Sequence, residues 1–387
     1  MSALSDILHR EIRHCGPIPF ARFMDRALYC PELGYYDRFA NTVGRAGDYF
    51  TSVSVGPLFG ELLARQFADW LAAVPGEPRH LVEAGAHDGQ LAHDLLAWLP
   101  RNRPDVWNRL EYWVLEPSTR RQEWQRQKLA EFAPRIRWVD AWERVAERAV
   151  RGVVFSNELL DAMPVHRLGW DATEQRWFEW GVGLEGDRFV WRRLAGESGN
   201  ALAPRVGESA EVSWPLASLA PVNLPAELLA VLPDGFTTEV RPQAVRWWTQ
   251  AASRLGVGHL LTFDYGLRGE EFFTPERSKG TLRAYHAHRL SPDVLADPGA
   301  QDLTAHVNFS SLQTAGEAAG LRTEGCWPQG VFLTRLVQTD SAASAISTPA
   351  QARQFQTLTH PEHLGARFRV LVQSRSPPGS SPVLCRP

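Results

Sequence analysis

The sequence predicts an α/β protein built on a Rossmann-like, mostly parallel sheet with helices on both faces. Three observations predict it. Short apolar runs alternate with amphipathic helical stretches across residues 76–164 and again across 236–340, the pattern of successive βαβ units. The leading runs each end on an acid or lead directly into one: Glu83, Glu116, Asp140 and Glu158. A glycine-bearing bend, Glu83-Ala84-Gly85-Ala86-His87-Asp88-Gly89-Gln90-Leu91, follows the first run. Ligands of such sheets sit beyond the carboxyl ends of the strands, so these acids converge on one edge.

The elements follow in order. Residues 1–75 form a helical, lid-like region: MSALSDILHREIRH is amphipathic, FARFMDRALYC follows Pro19, and residues 58–73 place apolar side chains at helical spacing. Between them GRAGDYFTSVSVGPLFG, rich in glycine and hydroxyls, suits an ordered loop. Strands are expected at His80–Ala84, Glu111–Leu115, Arg135–Val139, Gly152–Ser156 and Gly258–Tyr265, with helices at Gln90–Leu99, Ser118–Phe132 and Pro242–Leu255. Residues 165–235 interrupt the sheet as an antiparallel, β-rich substrate insertion, with a mobile Ala/Pro/Ser/Gly linker over 197–225. A helix at Phe309–Gly320 precedes a hairpin of strands Leu321–Trp327 and Val331–Val337. Residues 341–387 read as a C-terminal extension, disordered from Ser374 onward.

Composition narrows the function classes. With 41 Lys+Arg against 44 Asp+Glu, the net charge of −3 argues against a nucleic-acid binder, whose affinity rests on a basic face. No run of 18 apolar residues occurs, so no membrane-spanning helix is expected. Cys15, Cys30, Cys326 and Cys385 lie far apart, which suits a reduced cytoplasmic protein without a disulfide framework. No metal is expected, because His286, His288 and His306 lack a strand-anchored partner set at metal spacing.

The bend sets the chemistry. Gly85 and Gly89 let the backbone turn tightly and admit a ligand close to main-chain N–H groups. A dinucleotide fingerprint needs glycine at 85, 87 and 90, yet His87 and Gln90 stand there. Acid-x-Gly-x-x-x-Gly suits S-adenosylmethionine, which carries an ammonium and a sulfonium but no pyrophosphate. Glu116 would accept the ribose hydroxyls and Asp140 the adenine amino group. Glu158 and Asp161, spaced i, i+3 behind Asn157, would share one face of a helical turn and hold a guanidinium toward the methyl group. The alternative for Asn157 is a helix cap, with Glu158 in the first turn. Asp264-Tyr265-Gly266 closes a further strand and would line the acceptor pocket.

Seven strings carry a family resemblance: IPFARFM from Ile18, ALYCPELGYYDR, GDYFTS, NELLDAMPVHRL, LLTFDYG, GTLRAYHAHRL and DLTAHVNFSSL. In this order they resemble the MidA-like methyltransferases, the family of a mitochondrial complex I assembly factor. The likeness spans residues 15–335. It implies a seven-stranded class I methyltransferase sheet, S-adenosylmethionine as cofactor, and an acceptor arginine on a protein, a respiratory-complex subunit among the candidates, with a homodimer as the implied assembly. It further implies cofactor contacts at Glu83, Gly85, Gly89 and Glu116, a lid at Gly47, Asp48, Thr51 and Ser52, and a catalytic signature at Asn157, Glu158, Asp161, Ala162 and Pro164. Two positions depart. The family's Gly-Pro-Gly-x-Gly is Gly85-Ala86-His87-Asp88-Gly89 here, and Thr-Ser-Pro-Glu is Thr51-Ser52-Val53-Ser54. Three functions stay open on the sequence: a protein methyltransferase, an assembly module that has lost transfer, and a small-molecule methyltransferase.

Overall fold

The apolar runs become buried strands because their side chains find cover on both sides. The computed structural model describes residues 2–38, 51–194, 224–286, 289–338 and 346–377. It divides into two units. Gly47, Asp48, His288, Cys385 and most of the 197–225 linker lie outside the described residues.

The larger unit comprises Phe39–Asp161, Ala244–Leu267 and Phe309–Pro387. Its strands are β1 (Arg79–Ala84), β2 (Leu110–Leu115), β3 (Ile136–Val139), β4 (Val150–Asn157), β5 (Leu255–Leu267), β6 (Arg322–Pro328) and β7 (Phe368–Arg375). They lie in the order β6-β7-β5-β4-β1-β2-β3. The first five pair in parallel, and β7 runs antiparallel to both β5 and β6. These seven strands make the α/β architecture that the family resemblance implies. From β1 the chain steps outward to β3, then returns to β4 and steps the other way, so β1 and β4 flank the switch point where ligands of such sheets bind.

Side chains along β7 face alternate layers, as a strand's period of two requires, and both layers are covered. Val370 and Val372 enter one core with Leu62, Phe67, Leu95, Phe155 and Phe263, drawn from helices Leu58–Ala73 and Gln90–Asn102 and from β4 and β5. Gln373 points to the opposite layer, accepting from Trp248 Nε1 at 2.8 Å and abutting Gly316. Burying each aromatic ring of that first core stabilises by about 1.5–3 kcal/mol.

Two elements differ from expectation. Residues 331–337 lie within a helix, Gln329–Gln338, rather than a strand. Its buried Phe332, Leu333 and Leu336 form a helical stripe, and a short apolar run cannot be told from a strand by periodicity alone. The antiparallel partner of β6 is β7, which reaches past Ser374 into the stretch expected to be disordered. Arg375 secures that end by donating to Ala252 O at 3.1 Å and Ala319 O at 2.8 Å.

The smaller unit comprises Met1–Arg38, Ala162–Gln243 and Arg268–Asn308. Helix Ala3–Cys15, capped by Ser2, buries Leu4, Leu8 and Ile12 with Phe20 and Phe23. Strands His166–Asp171, Arg176–Glu185 and Arg188–Arg193 form the expected antiparallel set, joined by Thr237–Val240 and Ile18–Pro19.

Candidate cofactor and active site

Backbone hydrogen bonds carry three strand ends past the sheet. Gly85 N donates to Leu115 O at 3.3 Å, Glu116 N to Val139 O at 2.9 Å, and Glu158 N to Phe263 O at 2.9 Å. The bend after β1, the acid after β2 and the turn after β4 therefore share one edge.

The bend requires left-handed backbone at Gly85 (φ +71°), His87 (+47°) and Gly89 (+90°). A β-carbon at Gly85 would lie 2.7 Å from Leu159 Cδ1, so the post-β4 turn packs on the bend at that point. Gly89 precedes helix Gln90–Asn102, whose first N–H donates to Asp88 Oδ1 at 3.1 Å. His87 takes a conformation that disfavours a side chain by about 1–2 kcal/mol, which explains why the resembled family keeps glycine there. Its ring is 24% exposed, 3.7 Å from Asp88, and its carbonyl accepts from Gln125 Nε2 at 3.0 Å.

Glu83 closes β1, 3% exposed. Tyr112 Oη donates to its Oε2 at 2.5 Å, and no cation lies within salt-bridge distance among the described residues. Burial, countered by the Tyr112 hydrogen bond and reinforced by Asp88 and Asp94, pushes this carboxyl up to about 8. Burial likewise raises the Tyr112 phenol.

Glu116 is equally buried, at 1% exposed, in the opposite electrostatic setting. Arg121 donates from Nε at 2.9 Å and from Nη2 at 2.8 Å to its Oε1, which also accepts Ser118 N at 2.9 Å. Helix Thr119–Lys128, capped by Ser118, presents Arg121 and Gln125 one turn apart. Gln125, fully buried, bonds Glu116 Oε2 at 3.3 Å and accepts from Trp138 Nε1 at 3.1 Å, joining the acid to β3 and the bend. Asp140 lies apart from this network, its side chain 52% exposed and 3.5 Å from Arg144.

After β4, residues 158–161 form a bent turn, neither the helical turn expected to align Glu158 with Asp161 nor a helix capped by Asn157. Glu158 is left-handed (φ +51°). Asp264 holds the turn, accepting Leu160 N at 2.8 Å and Tyr265 N at 3.0 Å while fully buried. Asn157 Nδ2 donates to Glu158 Oε1 at 3.1 Å, and Asn157 Oδ1 is buried with no hydrogen-bond partner among the described residues. Asp161 is 5% exposed. Thr51 and Ser52 are buried, Thr51 bonding Ser54 and Ser52 donating to Gln329 Oε1 at 3.0 Å.

Sequence reasoning missed Tyr112, Arg121 and Gln125. The helical spacing of Arg121 and Gln125 behind a serine cap is a readable signal. Tyr112 meets Glu83 only through the pairing of β1 with β2, which places Leu81 opposite it.

The donor set fits S-adenosylmethionine: a buried acid for an ammonium, a glycine bend for a close approach, an acid after β2, and an orphan carbonyl oxygen at Asn157. Comparison with known proteins agrees. Residues 62–327 match the family model of S-adenosyl-L-methionine-dependent methyltransferases. The chain is 29% identical to the Drosophila melanogaster mitochondrial homolog of protein arginine methyltransferase NDUFAF7, covering 95% of this chain and 84% of that one. It is 28% identical to the Homo sapiens mitochondrial protein, covering 92% and 80%. A Burkholderia thailandensis superfamily member, whose crystal structure holds S-adenosyl-homocysteine, is 33% identical with a TM-score of 0.80, over 98% of this chain and 93% of that one. These relatives overturn the expected cytoplasmic location, because those from fly, human and mouse are mitochondrial. Cysteine spacing along a sequence specifies no compartment. The chain belongs to the S-adenosylmethionine-dependent methyltransferases.

Proposed function

We propose that this methyltransferase modifies a protein side chain, with arginine as the acceptor. The observation that carries the reading is the post-β4 turn. It holds Glu158 in a left-handed conformation, orients its carboxylate through Asn157, and is braced by buried Asp264. Strain of this kind, about 1–3 kcal/mol, persists where surrounding contacts over-determine it and clusters at active sites. The bound cofactor supplies an electrophilic methyl on sulfur. Glu158, with Asp161 behind it, would bind the cationic guanidinium and direct its nitrogen; positioning of that kind supplies most of the rate in such a displacement. Glu83 would take the ammonium, Gly85 and Gly89 the close approach, and Glu116 Oε2 a ribose hydroxyl. Asp140 would reach the adenine from the exposed rim, with Gly47, Asp48, Thr51 and Ser52 as the cover. The relatives' name as protein arginine methyltransferases supports the acceptor. A respiratory-complex subunit as target and a homodimer as assembly complete the reading.

A second reading, an assembly module without transfer, draws on His87 standing strained where the resembled family has glycine. One experiment separates them. The full chain is incubated with methyl-labelled S-adenosylmethionine and a mitochondrial protein extract. Labelled methylarginine is expected in the hydrolysed protein fraction and should vanish with Glu158→Gln. Cofactor binding without any transfer favours the module, and label confined to small molecules removes the protein acceptor.

A further inference from the structure

The described part of the candidate site contains a buried acid with no cation. Glu83 is 3% exposed, and its one hydrogen-bond partner among the described residues is the Tyr112 hydroxyl at 2.5 Å. The groups facing it add no positive charge. Tyr112 comes from β2, Asp88 from the bend and Asp94 from helix Gln90–Asn102. On β4 the paired residue is Phe155, and helix Leu58–Ala73 meets Asp94 at Gly60. Such surroundings penalise an isolated carboxylate by burial and by like charge together. An arriving ammonium reverses that balance.

We infer that Tyr112 is a positioning residue for Glu83, and that the Glu83 carboxyl releases one proton to solvent when the ligand's ammonium binds beside it. The inference rests on the placement of the cofactor ammonium at Glu83 proposed above. The Tyr112 hydroxyl fixes the Oε2 edge and donates to the ionised form, so it eases the release without leaving Glu83 charged beforehand. Burial sets the direction, holding the carboxyl near 8 in the absence of ligand. No bond to carbon changes: one O–H proton passes to buffer, and one ammonium–carboxylate pair forms.

Calorimetry of the full chain with S-adenosylhomocysteine tests this in phosphate and in Tris, whose ionisation heats differ. At pH 7 about one proton should appear per ligand bound, and affinity should improve about tenfold per pH unit from 6 toward 8. Tyr112→Phe should weaken binding several-fold at pH 7, and its affinity should still be climbing at pH 8, where wild type levels off. A purely structural Tyr112 would weaken binding equally at every pH and overturn its role. Tight binding with no proton released and no pH dependence between 6 and 8 overturns the inference while leaving the cofactor reading intact. Failure of the wild-type chain to bind S-adenosylhomocysteine strikes that reading itself.

Discussion

Two carboxylates close neighbouring strands, 1% and 3% exposed, and the protein treats them in opposite ways. Glu116 at the end of β2 already has its cation: Arg121 and Ser118 donate to Oε1, and Gln125 donates to Oε2. Glu83 at the end of β1 has one neutral hydroxyl. The first is a finished ion pair that fixes a helix, a bend and an edge strand together. The second is held back from ionising by burial until a cation arrives beside it. Burial alone therefore does not mark an acid that awaits a cation; among the described residues, the absence of one beside Glu83 does.

The comparison breaks most visibly at its structural side. Glu116→Ala takes from the Arg121 guanidinium, 12% exposed, its buried carboxylate partner, and removing one partner of a buried pair costs about 3–5 kcal/mol. Urea denaturation should register that loss, and a stability within 1 kcal/mol of wild type would mean that Arg121 finds water instead. Glu83→Gln should do the reverse. The folded carboxyl sits near 8 against an ordinary 4.5, so its contribution to stability is fully present below about pH 4.5 and is lost as pH rises through about 8. The glutamine variant escapes that loss, and should exceed wild type at pH 8 by on the order of a few kcal/mol. Yet it should bind S-adenosylhomocysteine at least a hundredfold more weakly. Paired melting curves at pH 5 and pH 8 read the first effect and calorimetry the second.

Asp264→Asn sharpens the contrast from the acceptor side. One amide oxygen cannot replace both carboxylate oxygens, so Leu160 N or Tyr265 N loses its partner at a cost of about 1–3 kcal/mol. Turnover should fall at least tenfold with cofactor affinity nearly unchanged, and an equal loss in both would place Asp264 at the cofactor. Asp140→Ala should do least. Its half-exposed side chain limits the stability change to within about 0.5 kcal/mol, and only a modest loss of cofactor affinity is expected from the adenine contact proposed at this rim; unchanged affinity would remove that contact.

The edge of the sheet is legible in the amino-acid sequence. Apolar runs ending on Glu83, Glu116 and Glu158 announce parallel strands, since strands covered on both faces read as continuous apolar stretches that break to polar residues where the sheet ends. Gly85 and Gly89 announce the bend for an equally local reason: positive φ is cheap only without a β-carbon. Residues 331–337 are not legible in this way, because seven residues of mixed apolar character fit either period. Only packing of Phe332 on Phe263 and Trp327 decides for the helix.

What the sequence determined by itself is thus the five parallel strands, their order of appearance and the chemistry gathered at their ends. These follow from periodicity and from single residues. Tertiary structure alone decided which acid has a cation beside it among the described residues. That depends on Tyr112 reaching Glu83 across two paired strands, on Arg121 folding back onto Glu116, and on Asp264 of β5 bracing a turn that follows β4. Local sequence encodes a residue's own backbone and polarity. The energy of a buried carboxylate is set by neighbours brought to it from elsewhere in the chain, and sequence spacing does not contain those distances.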